Sequence, residues 1–74
     1  MQVVYRAKSI ANAQTARDVL VASGIASHIA DEALWERGEL AANEGIRVMV
    51  DNRAVDRARR TLEAWKRESA ESKG

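Results

Sequence analysis

Hydrophobic and polar residues follow one another along the chain in patterns that predict the element order βαββα. Residues 2–7 and 25–30 are short runs rich in strand-forming residues. A third run shows the clearest alternation, because Ile46, Val48 and Val50 fall on one face of a strand. This β-branched face is expected to pack against the helices.

Two amphipathic helices accompany these strands. The first is predicted over 10–23, with Ser9 as its N-cap and Gly24 as the residue that ends it. Its apolar residues recur at helical spacing: Ile10, Ala13, Ala16, Val19 and Leu20. The last helix follows a cap at Asp51 or Asn52. Its apolar residues form one stripe opposite the arginines: Val55, Ala58, Leu62 and Trp65.

The connections select one topology. A helix between the first two strands implies a right-handed crossover, and the next two strands favour an antiparallel pair. The sequence therefore predicts an α+β domain over 1–67, a three-stranded, mainly antiparallel sheet with two helices on one face, followed by a flexible tail over 68–74. This is a ferredoxin-like order that lacks the last strand. The first strand has an open edge. Its buried face stays undecided, because Val3, Val4 and Tyr5 are all apolar.

Composition narrows the class of protein. A chain of 74 residues has room for one domain, and without cysteine it has neither a disulfide framework nor a cysteine zinc site. Because the N-terminus enters a strand pattern directly, without the regions of a signal peptide, we expect a cytoplasmic protein. The net charge of +1 provides no general attraction to nucleic acid or to a membrane.

Catalytic and cofactor chemistry has no candidate constellation. His28 is the only histidine, and no second histidine or other base is available to build a catalytic triad with a serine. The glycines at 24, 38 and 45 stand alone and do not form a phosphate-binding loop. The sequence predicts no enzyme, no cofactor and no metal site.

Charged residues are segregated along the chain. Acidic residues gather in one stretch: Asp31, Glu32, Glu36, Glu39 and Glu44. Basic residues crowd the last helix: Arg53, Arg57, Arg59, Arg60, Lys66 and Arg67. Because Asp56 and Glu63 interrupt this basic face, an ordinary solvated helix is favoured over a nucleic-acid-binding one.

The connection over 31–45 is the most informative irregular region, since unstructured connections of about 12–15 residues are uncommon and often functional. Part of it is compatible with a short helix over 32–37, with Asp31 as its cap and Gly38 at its end. The residues of interest as a partner-binding set, here and on the neighbouring strands, are Leu34, Trp35, Leu40, His28 and Met49.

Two interpretations of the apolar residues in this connection stay open. In the first, the side chains at 34, 35 and 40 fold over the second face of the sheet, because a single-layer sheet needs a cover. The residues they would cover are Val4, Ala26, Ala30 and Met49. In the second, Trp35 anchors a protein partner, as aromatic residues do at interface centres.

Four runs, taken in chain order, resemble a known family. They are Tyr5-Arg6-Ala7, Ser9-Ile10-Ala11-Asn12-Ala13, Leu20-Val21-Ala22-Ser23-Gly24-Ile25 and Val48-Met49-Val50-Asp51. Over about residues 3–65 the chain resembles the domain of unknown function 2007 family, which is described as prokaryotic signal-transducing and likened in fold to the nitrogen-regulatory PII proteins. Ala26 stands where the family often has proline. The resemblance implies a bacterial regulatory protein and brings no functional residues with it.

These observations lead to one functional expectation and one alternative. We expect a non-enzymatic binding or regulatory module that docks on a protein, or on a second copy, through the open edge of the first strand or the acidic connection. The alternative is a small-ligand sensor whose pocket lies between the sheet and the 31–45 connection. Nucleic-acid binding is less favoured, and no membrane partner is expected.

Overall fold

A computed structural model describes residues 1–41 and 45–71 and confirms the mixed α+β fold. Its elements are β1 (Gln2–Ala7), α1 (Ile10–Ala22), β2 (Ser27–Ile29), α2 (Glu32–Glu36), β3 (Ile46–Val50) and α3 (Val55–Glu71). A 3₁₀ turn over Asn52–Ala54 leads into α3. Residues 42–44 of the predicted connection and 72–74 of the predicted tail lie outside the described residues.

The three strands form one antiparallel sheet in the order β1-β3-β2. Because β3 lies in the centre, β1 and β2 are the outer strands of the described sheet and run parallel to each other. The predicted inner face of β3 is buried throughout, and α1 and α3 pack on it together. None of the described helices is long and apolar enough to cross a membrane.

One hydrophobic core joins this face of the sheet to α1 and α3. Its buried members are Ala7, Ala13, Ala16, Leu20, Ile25, Ile29, Ile46, Val48, Val50, Val55, Ala58 and Leu62. The predicted helix stripes therefore point inward, with Ile10, Val19 and Trp65 only half-buried at their margins. Small alanines on both helices let the backbones approach the sheet closely.

The predicted helix ends form as expected. The Ser9 Oγ accepts a hydrogen bond from the backbone N–H of Asn12 at 3.1 Å. Gly24 has φ +79°, and the following N–H of Ile25 donates to the carbonyl of Leu20 at 2.9 Å. Asp51 begins the turn before α3, since its Oδ1 accepts from the N–H of Arg53 at 2.9 Å.

A β-bulge in β1 resolves the ambiguous alternation of that strand. Val3 pairs with Met49 and Tyr5 with Val48, so no residue of β3 stands opposite Val4. Adjacent residues of β3 point to opposite faces, and paired residues share a face. Tyr5 therefore joins the helix face, whereas Val3 lies on the second face, and Val4 and Tyr5 both pack against the core.

β2 and α3 differ in extent from the sequence prediction by more than one residue. β2 covers 27–29 rather than 25–30, because the N–H of Ile25 closes the end of α1 instead of joining the sheet. α3 continues through the predicted boundary at 67 as far as Glu71. No glycine or proline interrupts the sequence between 55 and 71, so the helix meets no residue that breaks it.

Candidate functional site

The short helix α2 lies beside α1. The Arg17 Nη1 is 2.9 Å from the Glu32 Oε2, and the Gln14 Nε2 donates to the Glu36 Oε1 at 3.3 Å. Trp35 packs against the main core, and its Nε1–H donates to the carbonyl of Ala30 at 3.1 Å. These contacts hold α2 in place on the side of the helical layer.

This placement corrects part of the expectation that the connection covers the second sheet face. Ala26 is exposed, and Val4 packs against the main core instead. The interpretation in which the connection covers these two residues is therefore wrong. The reason is that the β-bulge turns Val4 to the helix side, and Ala26 precedes β2.

The prediction that the Asp31 side chain caps α2 is also wrong. Asp31 adopts a left-handed conformation with φ +56°, and its side chain makes no capping hydrogen bond to α2. Its Oδ2 lies 3.5 Å from the Arg47 Nη2 instead. Gly38 ends α2 as predicted, with φ +73° and its N–H donating to the Trp35 carbonyl at 3.1 Å.

A cleft of about 430 Å³ opens between the sheet and this connection, and we call it the loop cleft. Its described lining residues are Arg6, Asp31, Trp35, Leu40, Ala41, Gly45 and Arg47. Arg6 and Arg47 stand directly opposite each other across β1 and β3. Like charges in that position repel each other, and the Asp31 carboxylate offsets part of this repulsion.

The five residues predicted as a partner-binding set do not converge on one site. Trp35 and Leu40 both line the loop cleft. His28 and Met49 form a cross-strand pair on the second face of the sheet, where His28 is exposed and Met49 half-buried. Leu34 is half-buried on α2 and is not among the residues that line the loop cleft.

A second surface follows the outer edge of β1, which the sequence predicted as a docking edge without naming the residues that form it. The Tyr5 and Trp65 rings meet edge to face with their centroids 5.7 Å apart. The Tyr5 hydroxyl donates to the Asn12 Oδ1 at 2.9 Å, which holds the ring against α1. The Lys66 Nζ lies 5.2 Å from the centroid of the Tyr5 ring, within the range of a cation–π contact.

Two adjoining clefts of about 370 and 220 Å³ share Tyr5 and Lys66, and together we call them the edge groove. Its residues are Val3, Val4, Tyr5, Arg6, Asn12, Trp65, Lys66 and Ser69. Val3 belongs to the second face of the sheet and Tyr5 to the helix face. The groove therefore passes around the outer edge of β1.

The electrostatics of the edge groove are basic. No described carboxylate forms an ion pair with Lys66. Residues 1–9 contain Arg6 and Lys8 and no acidic residue. Nearer the start of α3, two of the predicted basic residues form hydrogen bonds to backbone oxygens. Arg57 donates to the Ser23 carbonyl, and Arg60 donates to the Asp56 carbonyl. In the described part of the chain, no group of three acidic, histidine or cysteine side chains is placed to hold a metal ion.

Comparison with known proteins identifies the family. A family model described as "Putative prokaryotic signal transducing protein" matches residues 1–66 of the 74-residue chain. The chain belongs to this signal-transducing family. The resemblance read from the four sequence runs is thereby confirmed. No curated protein and no solved structure matches the chain.

The match to the signal-transducing family spans both surfaces. It includes every described residue that lines the loop cleft. It also includes the residues of the edge groove apart from Ser69. Sequence reasoning predicted the open edge of β1 but missed the meeting of Tyr5 and Trp65 there, because these residues are far apart along the chain. The sequence signal that could have indicated the groove is Trp65, the last residue of the apolar stripe of α3, followed directly by Lys66.

Proposed function

We propose that this member of the signal-transducing family is a non-enzymatic docking module that acts in the cytoplasm through protein–protein contacts. The observation that carries the proposal is the edge groove: half-buried Val3, Val4, Tyr5 and Trp65 surround a lysine beside the outer edge of β1. Strand edges and half-exposed aromatic residues are surfaces that protein partners use.

The histidine supports a role without catalysis. His28 is exposed, and its neighbour across the β2–β3 pair is Met49, which offers neither a nucleophile nor a proton carrier. General acid–base chemistry needs a group within hydrogen-bond reach of the histidine. The surroundings of His28 therefore support a binding role for the protein and not a catalytic one.

A second copy of the chain is the other partner that the sequence left open. The segment 1–9 contains Arg6 and Lys8 and no acidic residue, so paired β1 edges of two copies bring no opposite charges together. This lack of complementary charge weighs against such a dimer. Sedimentation velocity at micromolar concentration tests it, and a stable dimer would place self-association ahead of a different partner.

Site-specific photo-crosslinking in the native prokaryotic cell tests the docking function. A photoreactive amino acid replaces Val3 at the edge groove in one variant and Leu40 at the loop cleft in another. The control carries it at Arg57, on the opposite side of α3 from Lys66. We expect a discrete crosslinked protein from the edge-groove position and none from the control. Absence of crosslinks from both test positions would contradict the docking function.

The loop cleft supports a second candidate function, a small-ligand sensor. Its volume of about 430 Å³ lies within the range of known ligand pockets, and it combines the Trp35 ring with two arginines. The lining also includes the Asp31 carboxylate, so the cleft offers charged groups of both signs to a ligand. A thermal-shift screen with nucleotides and amino acids tests this function, with the Arg47→Ala variant as the control that should lose any stabilisation.

A further inference from the structure

We infer that the edge groove accepts an extended segment of a partner protein that carries both apolar side chains and a carboxylate. The carboxylate is placed on Lys66, and an apolar side chain enters the cleft beside the Tyr5–Trp65 ring pair. This inference rests on the proposed docking function and specifies the chemistry of its partner. It takes the partner to be a different protein and not a second copy of the chain.

The charge of the edge groove is the reason for expecting a carboxylate in the partner segment. Lys66 is exposed, lies over the Tyr5 ring and forms no ion pair with a described carboxylate. A lysine held over an aromatic face keeps its ammonium group at a defined position. A partner carboxylate there would form a charge-assisted hydrogen bond without displacing an internal one.

The aromatic cleft specifies the apolar component. A space of about 220 Å³ lies beside the Tyr5–Trp65 ring pair and is also lined by Asn12, Lys66 and Ser69. The Tyr5 hydroxyl is already bonded to Asn12, so the ring cannot swing into the space without losing that bond. A rigid aromatic cleft of this size accepts one aliphatic side chain at low entropic cost.

The position of the groove specifies an extended conformation. β1 is an outer strand of six residues, and the adjoining cleft contacts Val3 on one face and Tyr5 on the other. A segment that lies along this edge in strand conformation presents alternate side chains to the two faces. Alternate residues of the partner then meet the aromatic cleft, and the intervening ones meet the second face.

The charge of the chain itself argues against a second copy as the occupant. Residues 1–9 contain no acid, so the β1 strand of another copy cannot supply the carboxylate that Lys66 would bind. Electrostatic complementarity therefore favours a different, acidic segment.

A titration followed by ¹H–¹⁵N NMR of the full chain tests the inference. The probe is a blocked hexapeptide of alternating valine and glutamate, and the matched probe has lysine in place of glutamate. We expect saturable shifts at Val3, Tyr5, Lys66 and the Trp65 indole with the glutamate probe only.

The Lys66→Glu variant should weaken binding by about tenfold or more, which corresponds to about 1.4 kcal/mol. The Arg57→Glu variant reverses a charge on the opposite side of α3 and should bind like the original protein.

Three outcomes would overturn the inference: no shifts at millimolar probe, equal shifts with the lysine probe, or the largest shifts at the Trp35 indole of the loop cleft. Far-ultraviolet circular dichroism of both variants verifies that they fold. If the edge-groove position still crosslinks a cellular protein while Lys66→Glu leaves the crosslink unchanged, the docking function stands and the acidic partner does not. Absence of crosslinks from both test positions of the otherwise original chain removes the docking function itself.

Discussion

The Tyr5 ring and the Trp65 indole meet edge to face, with centroids 5.7 Å apart and ring planes inclined by 70°. This contact joins β1 to α3, two elements at opposite ends of the chain. Aromatic pairs in this arrangement contribute about 0.5–1.5 kcal/mol beyond the area they bury. The same contact therefore closes the fold and forms one wall of the edge groove.

The hydrogen bond between Tyr5 and Asn12 should couple β1 to α1. Tyr5→Phe keeps the ring and removes the hydroxyl, so we expect a loss of about 1 kcal/mol in the free energy of unfolding. Asn12→Ala leaves the N-cap intact, because the cap uses the backbone N–H of Asn12. Urea denaturation of both single variants and the double variant gives the coupling. A coupling close to zero would show that the bond contributes nothing.

Trp35 should contribute to stability as well as to the wall of the loop cleft. Trp35→Ala removes a half-buried ring that packs on the core, and we expect a loss of about 2 kcal/mol, below the range for fully buried tryptophan. Trp35→Phe keeps an aromatic ring but removes part of the packing surface and the hydrogen bond to the Ala30 carbonyl, which by itself should cost about 1 kcal/mol. Thermal and urea unfolding measure both. An unchanged melting temperature in Trp35→Ala would assign this residue to binding alone.

Gly45 should tolerate a side chain less well than Gly24, although both have positive φ angles of +88° and +79°. Gly24→Ala meets no atom within 4 Å, so it should cost only the conformational penalty of about 1–2 kcal/mol. A Cβ on Gly45 would lie 2.9 Å from the Arg6 Cβ, which adds a further ~1–3 kcal/mol. Equal losses in urea denaturation would contradict the close approach to Arg6.

The ion pair between Arg17 and Glu32 should help to hold α2 on α1. Its side chains are 29% and 31% exposed, and the charged atoms are 2.9 Å apart. A double-mutant cycle with Arg17→Ala and Glu32→Ala should give a coupling of about 0.5–1 kcal/mol at low salt. The coupling should decrease in high salt because the pair is partly solvated. If it is absent at low ionic strength, other contacts hold α2.

Local patterns predicted the regular elements because their causes are local. The alternation of Ile46, Val48 and Val50 depends only on strand geometry, and the buried face of β3 follows from it. The cap at Ser9 and the left-handed Gly24 depend on neighbouring backbone groups. These features needed no knowledge of distant residues.

The spatial grouping of the predicted partner-binding residues did not follow from the sequence. Trp35 and Leu40 share one cleft as members of the predicted set, but His28 and Met49 lie together elsewhere, on the second sheet face. Asp31 has the residue type of a helix cap, yet its carboxylate approaches Arg47 on a separate strand. A competing partner that is distant in sequence decides the role of such a side chain.

The sequence by itself determined the element order, both ends of α1, and the inner faces of β3, α1 and α3. These depend on periodicity and capping, which act over a few residues. Only the tertiary structure decided that β1 contains a bulge at Val4, that α2 lies beside α1, and that Tyr5, Trp65 and Lys66 meet in one groove. Each of these depends on the register or packing of elements far apart in the chain. The contact between the two segments provides the stabilising free energy, so neither segment alone predicts it.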